Sequence, residues 1–184
     1  MKSMLMILSV CALVFGCAAP PKSSAAAVPD STSGMALASA SFAAGDSIPR
    51  RYTLDGENLT PDLTWNKVPE GTKSLALTCR DPDAPGGSFV HWVVFNMPEN
   101  VRALPEGIGR DSTLPFGGTQ GTNSFRHLGY DGPKPPSGTH RYYFDLYALD
   151  GMLELDQTAT AGRLMEAMKG HVLAKASLMG KYKK

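Results

Sequence analysis

Cysteine is scarce in this 184-residue chain: it has three, and only Cys79 lies outside the N-terminal region. A chain whose Cys11 leaves with a leader and whose Cys17 is acylated retains a single thiol, which excludes an intrachain disulfide even in an oxidising compartment. Charge of one sign is equally lacking. Eighteen Lys and Arg face 17 Asp and Glu, and losing Lys2 makes the two equal, so no field is available to steer nucleic acid. The terminal Lys181, Lys183 and Lys184 form too small a cluster to change that reading. No His-Glu-x-x-His, paired-cysteine or Gly-x-Ser-x-Gly pattern occurs, so the sequence signatures of zinc proteases and serine hydrolases are missing. No internal repeat is present.

Long hydrophobic runs are missing too. The longest, Met4 to Phe15 after Lys2, falls short of the ~20 residues that cross a bilayer and reads as an export signal. Val14-Phe15-Gly16-Cys17 resembles a bacterial lipobox, which places the lipid on Cys17. The alternative is an ordinary secretory signal cut near Ala19, giving a soluble periplasmic or secreted protein. Ala18 to Gly34 holds Ala, Pro, Ser and Thr with almost no large apolar side chain, and so cannot bury enough surface to offset ordering entropy. The expected plan is a signal peptide over 1–16, a lipidated flexible tether over 17–34 and one domain over 35–184. About 150 residues suffice for one core.

Within that domain, Leu37 to Ala43, Tyr52 to Leu54, Leu63 to Trp65 and Leu75 to Cys79 read as short strands of a β-rich first half. In Val90 to Met97 the period-2 sets are His91/Val93/Phe95 and Val90/Trp92/Val94, both largely apolar, as in a central strand covered on both faces. In His140 to Leu149, alternation puts His140, Tyr142, Phe144 and Leu146 on one side and Arg141, Tyr143, Asp145 and Tyr147 on the other. Arg110 to Gly129 reads as a long structured loop of the kind that carries function. A helix is predicted over about 159–169, with Thr158 or Thr160 as N-cap, Gly170 as stop and its methionines in the core. Ala176, Leu178, Gly180 and Tyr182 alternate with polar residues, which predicts a closing edge strand guarded by lysines. Cys79, ending an apolar strand beside Asp81, reads as a small buried hydrophobe.

Two proline-stiffened turns stand beside these strands: Asp81-Pro82-Asp83-Ala84-Pro85, and Gly132 to Tyr142 with its Pro-Lys-Pro-Pro run. Proline restricts its own φ and that of the residue before it, so these turns lose little entropy when ordered. Ionisable groups on such turns at strand ends are how pockets are built. These blocks, with Val90 to Pro98, Gly170 to Ala174 and Leu178-x-Gly180-x-Tyr182, resemble the phosphatidylethanolamine-binding protein family, in its bacterial Raf kinase inhibitor-like branch. The resemblance runs from about Met35 to the C-terminus. It implies a mainly β, sandwich-like fold with a large central sheet, a smaller sheet and peripheral helices, and a small anion pocket lined by Asp81, Asp83, Pro85, His91, His140 and Tyr142. Two positions depart from common bacterial relatives: Lys134, where Cys is frequent, and Ser124, where Asp is.

The residue types fit such a pocket. His91, His140, Tyr142 and backbone N–H groups can donate to a phosphate-containing or anionic group, while Asp81 or Asp83 beside a histidine favours the imidazolium and attracts an ammonium, as in the phosphatidylethanolamine head group. No cofactor or metal is expected. Other readings stay open: core histidines with turn-capping aspartates; a zinc or iron site on the two histidines and an aspartate; a hydrolase using the Asp/His pair, with Ser137 the nearest hydroxyl; or an inhibitor of a periplasmic protease or signalling protein. His127 reads as a solvated loop residue and His171 as a helix-end residue placed by the dipole.

Overall fold

The computed structural model describes residues 34–184; the expected signal peptide, Cys17 and nearly all of the expected tether lie outside the described residues. The first three strands are β1 (Ala36–Ala38), β2 (Leu63–Asn66) and β3 (Ser74–Asp81), followed by β4 (Phe89–Pro98), β5 (Ala103–Leu104) and β6 (Thr119–Gln120). The chain closes with β7 (Thr139–Leu149), helix α1 (Ala161–Ala167) and β8 (Val172–Lys183). A three-stranded sheet has the order β1-β2-β5, and a five-stranded sheet the order β6-β4-β3-β7-β8. Every pairing between these strands is antiparallel. The fold is thus the mainly β, two-sheet arrangement expected.

Alternation explains the layers. One face of the large sheet presents Leu75, Leu77 and Cys79 of β3, Trp92 of β4 and Phe144 of β7, which share a core with Leu37, Leu63, Trp65 and Leu104 of the small sheet. The other face presents Ala76, Val93, Phe95 and Leu149, packed on Leu164 of α1 and on Met168, its C-cap. The strands buried on both faces read as near-continuous apolar runs for this reason. Cys79 is fully buried, and burial followed by the Asp145 and Asp81 charges pushes its thiol well up, away from reactivity.

Several expectations change. The strand placed at 52–54 is a 3-10 turn over Arg50–Tyr52: Pro49 has the φ of a turn, and its carbonyl accepts from the Tyr52 N–H at 3.0 Å. The strand read as Leu37 to Ala43 stops at Ala38 because the Asp62 carboxylate collects the N–H groups of Ala40 and Ser41 at 2.8 and 2.9 Å and turns the chain. The helix starts later than periodicity indicates, since Ala159 gives its carbonyl to the Thr122 N–H at 2.9 Å and Thr160 bridges to Thr122. Thr160 is the N-cap position but makes no side-chain cap bond, and Gly170 takes the left-handed φ of +80° after the helix. Met168 is core, whereas Met165 is 43% exposed.

β8 is the outer strand of the large sheet, but lysines are not its main cover. Residues 45–48 run along it: the Gly45 N–H donates to the Met179 carbonyl at 2.7 Å, the Lys181 N–H to Asp46 at 2.8 Å, and the Ile48 N–H to Lys181 at 2.7 Å. Ile48, 1% exposed, anchors that segment in the core.

Candidate functional site

A fault in β4 builds the site. Cys79 pairs with Trp92 and Arg80 with Val90, leaving His91 as the extra residue of a bulge. Regular alternation would put His91 with Val93 and Val90 with Trp92. Instead Val90 packs with the helix-side core, and the His91 ring meets Tyr142 edge-on at 5.2 Å on the opposite face. The expected period-2 sets hold from Trp92 to Phe95 and fail at His91, because a bulge shifts the phase by one. A second register shift falls at Asn96, whose φ is +56° and whose side chain clasps Leu153 through two bonds of 2.8 Å.

Four of the six expected site residues therefore gather at one end of the large sheet, on the face toward the small one. Asp81 ends β3, His140 and Tyr142 share a face of β7, and His91 joins them through the bulge. Asp81 is 3% exposed and His140 8%. The His140 Nδ1 lies 2.7 Å from the Asp81 carboxylate, and the other carboxylate oxygen accepts from the Asp83 N–H at 2.8 Å. With Nδ1 committed, Nε2 is the ring atom left for a ligand. Among the described residues the buried Tyr142 hydroxyl meets no acceptor in hydrogen-bonding geometry; burial, then the charge of the nearby Asp81 carboxylate, holds it far above its ordinary value.

His91 is set from outside its own strand. Its Nδ1 lies 2.6 Å from the Asp131 carbonyl and so carries the donated proton, and the ring is wrapped by Phe89, Phe125 and Tyr142. Burial lowers its pKa below the ordinary 6.5, outweighing the Asp131 carbonyl bond and the Asp81 charge. A group so depressed binds fewer protons folded than unfolded, so its contribution to stability is complete above about 6.5 and is lost as pH falls toward the folded value. Urea titrations between pH 7 and 5 should show the native protein losing stability relative to His91→Gln, by about 1.4 kcal/mol per unit of depression. Parallel curves would show that His91 does not govern that window.

Asp83 and Pro85 sit differently. Asp83 grips Arg141, accepting its backbone N–H and Nε at 2.9 Å and a terminal nitrogen at 2.6 Å. Those bonds hold its carboxyl down at about 2. It braces the first proline turn against β7, and Pro85 is exposed on that turn. Lys134 lies 3.7 Å from Asp55, and Ser124 accepts the Val90 N–H at 2.9 Å beside the bulge.

Asp131 escaped the sequence reading. It is 3% exposed, and its carboxylate receives Arg110 at 2.5 Å, Asn123 at 2.8 Å, His127 at 3.0 Å and Asn58 at 3.3 Å. Burial works to raise this carboxyl, but the bonds from Arg110, Asn123 and His127 hold it below its ordinary value. His127 is thus a partner of Asp131 rather than a merely solvated ring, and His171 faces the Asp150 carboxylate at 2.7 Å rather than a helix dipole. Asp131 pins the loop whose carbonyl orients His91; the Gly-Tyr-Asp-Gly run was its only signal. Among the described residues, no group of three or more His, Cys, Asp or Glu is placed to hold a metal ion, so the zinc or iron reading lacks its ligand set. Ser137 is exposed and makes no bond to His140.

Residues 38–183 match the phosphatidylethanolamine-binding protein family. A UPF0098 protein of Methanothermobacter thermautotrophicus is 52% identical over 137 residues, 74% of this chain and 91% of its own length. Escherichia coli YbhB is 42% identical over 153 residues, 78% of this chain and 97% of its own. Among solved structures, a phosphatidylethanolamine-binding protein homolog from Chlamydia trachomatis superposes with a TM-score of 0.75 at 40% identity, covering 82% of this chain and 97% of that one. E. coli YbcL gives 0.77 at 34% identity, with 82% and 98% covered. Fold, site geometry and these matches agree: the chain belongs to the phosphatidylethanolamine-binding protein family.

Proposed function

We propose that this protein is an exported binding protein whose pocket, formed by Asp81, His91, His140 and Tyr142, takes a phosphate-containing or other anionic head group. The observation that carries the reading is the Tyr142 hydroxyl, buried without a hydrogen-bond partner among the described residues, near the Asp81 carboxylate that fixes one nitrogen of His140. Such a hydroxyl is destabilising unless something accepts from it, and a phosphate oxygen is a suitable acceptor. The Asp81 carboxylate suits an attached ammonium, so the phosphatidylethanolamine head group answers both halves of the site. No nucleophile is bonded to the His140–Asp81 pair among the described residues, which favours binding over hydrolysis.

Lipidation at Cys17 would hold this domain at a bacterial envelope, facing the periplasm, where a head group or an envelope protein partner is within reach. Calorimetric titration of phosphorylethanolamine and inorganic phosphate, with chelator present, tests the pocket. The native protein should release heat, and His140→Ala should weaken binding at least tenfold. Equal heats in both would remove the assignment.

A further inference from the structure

Arg80 follows the same strand as Asp81 but points to the opposite face of the large sheet, where it forms part of a second opening. Its Nε donates to Asp145 at 2.8 Å, and its guanidinium lies 4.7 Å over the Tyr143 ring. Asp145 is fully buried. It is already satisfied, because it accepts from the Ser177 hydroxyl and faces the Lys175 ammonium at 3.1 Å. Two cations thus share one carboxylate, leaving a unit of positive charge in a partly desolvated place. The terminal nitrogens of Arg80 make no hydrogen bond among the described residues, although its side chain is only 35% exposed.

Arg80 lines a groove of about 230 Å³ between the sheet and α1. Thr78, Ser88 and Tyr147 bring hydroxyls, and Val90 and Met165 supply apolar wall. Met165 is one of two large apolar side chains left exposed among the described residues. Gly162, on the helix side of the groove, leaves its floor open: a Cβ there would meet only the Thr160 hydroxyl, at 3.8 Å. The bulge that sends His91 to the first pocket is what turns Val90 into this one.

The geometry points to a second, separate binding site in this groove, for a small carboxylic acid with an apolar body. Two terminal guanidinium nitrogens match the two oxygens of a carboxylate in a planar fork. Arg80 is the only ionisable cation among the lining residues, so a monoanion balances the site better than a dianionic phosphate, and the Thr78, Ser88 and Tyr147 hydroxyls can donate to its oxygens. The volume lies below the ~300 Å³ where drug-sized pockets begin, which limits the acid to a short chain or one ring.

Hexanoate is the probe, followed by amide shifts in ¹H–¹⁵N spectra of the protein. Saturable shifts at Arg80, Val90 and Gly162 are expected, with none from hexylammonium, and phosphorylethanolamine should leave these resonances unmoved. Arg80→Gln should weaken hexanoate at least tenfold. Gly162→Leu, which fills the groove and leaves the Arg80–Asp145 pair intact, should do the same and keeps the test valid if the first variant folds poorly. The site is overturned if hexanoate causes no saturable shift there, if it shifts the surroundings of His91 and His140 instead, or if Gly162→Leu binds it as the native protein does. None of these results depends on whether the first pocket binds phosphate.

Discussion

Replacing Asp81 with alanine will destabilise the protein by about 3 kcal/mol, the scale for stranding buried hydrogen-bond donors, and will remove phosphorylethanolamine binding. The carboxylate accepts both the His140 Nδ1–H at 2.7 Å and the Asp83 N–H at 2.8 Å. Alanine leaves both donors without acceptors, and His140 lies where water barely reaches, at 8% exposure. Each stranded donor is worth about 1–3 kcal/mol. The loss of binding follows from geometry as well as charge, since an imidazole no longer held at Nδ1 is free to turn its Nε2 out of the pocket. Asp81→Asn separates the two effects. It keeps an acceptor for one donor and turns its amide NH2 on the other, so it should cost about 2 kcal/mol, yet still weaken phosphorylethanolamine more than inorganic phosphate, because only the former brings an ammonium. Urea denaturation midpoints and paired titrations measure this; an Asp81→Ala protein as stable as the native one would show that the pair adds nothing net.

Gly132→Ala is expected to be comparably damaging although it adds one methyl group. A Cβ at this position would lie 2.3 Å from the Tyr52 carbonyl oxygen and 2.7 Å from the Thr53 Cα. Both are backbone atoms, so no side chain can swing aside. The strand of contacts behind them is fixed: the Tyr130 hydroxyl donates to that same Tyr52 carbonyl at 2.8 Å, and the Gly132 N–H to Asn58 at 2.8 Å. Relief must come from moving the 130–133 segment, which carries the Asp131 carbonyl that orients His91. Overpacking of this kind costs about 3 kcal/mol, at the top of its usual range. Binding should fall with stability in this variant. Gly45→Ala is the control: its Cβ would meet nothing within 4 Å, so only its φ of +86° opposes it. A Gly132→Ala protein with native unfolding midpoint and native affinity would mean that the loop is free to shift.

The central strands and the face shared by His140 and Tyr142 were legible in the sequence because burial on both sides leaves apolar runs, and because alternation is rigid where register is unbroken. His91 was legible as a site residue by motif but not by period, since nothing in Phe89-Val90-His91-Trp92 announces a bulge. The 3-10 turn at Arg50 was missed because its cause is Pro49, a turn residue beside a plausible strand. Asp131 was hidden for another reason. Its four partners come from residues 58, 110, 123 and 127, and such convergence exists only once the loops have closed. The pairing of Asp83 was not legible either, because its partner Arg141 is 58 positions away.

The segment at 45–48 has a role beyond packing. A twelve-residue outer strand with free carbonyls and amides is a template on which another molecule of the same protein can extend the sheet. Gly45, Asp46 and Ile48 occupy those groups along Met179 to Lys181, so the molecule satisfies that part of its own border. Loosening Ile48 from the core would uncover that border without unfolding the pocket, and the first symptom would be self-association at high protein concentration rather than a change in what the protein binds.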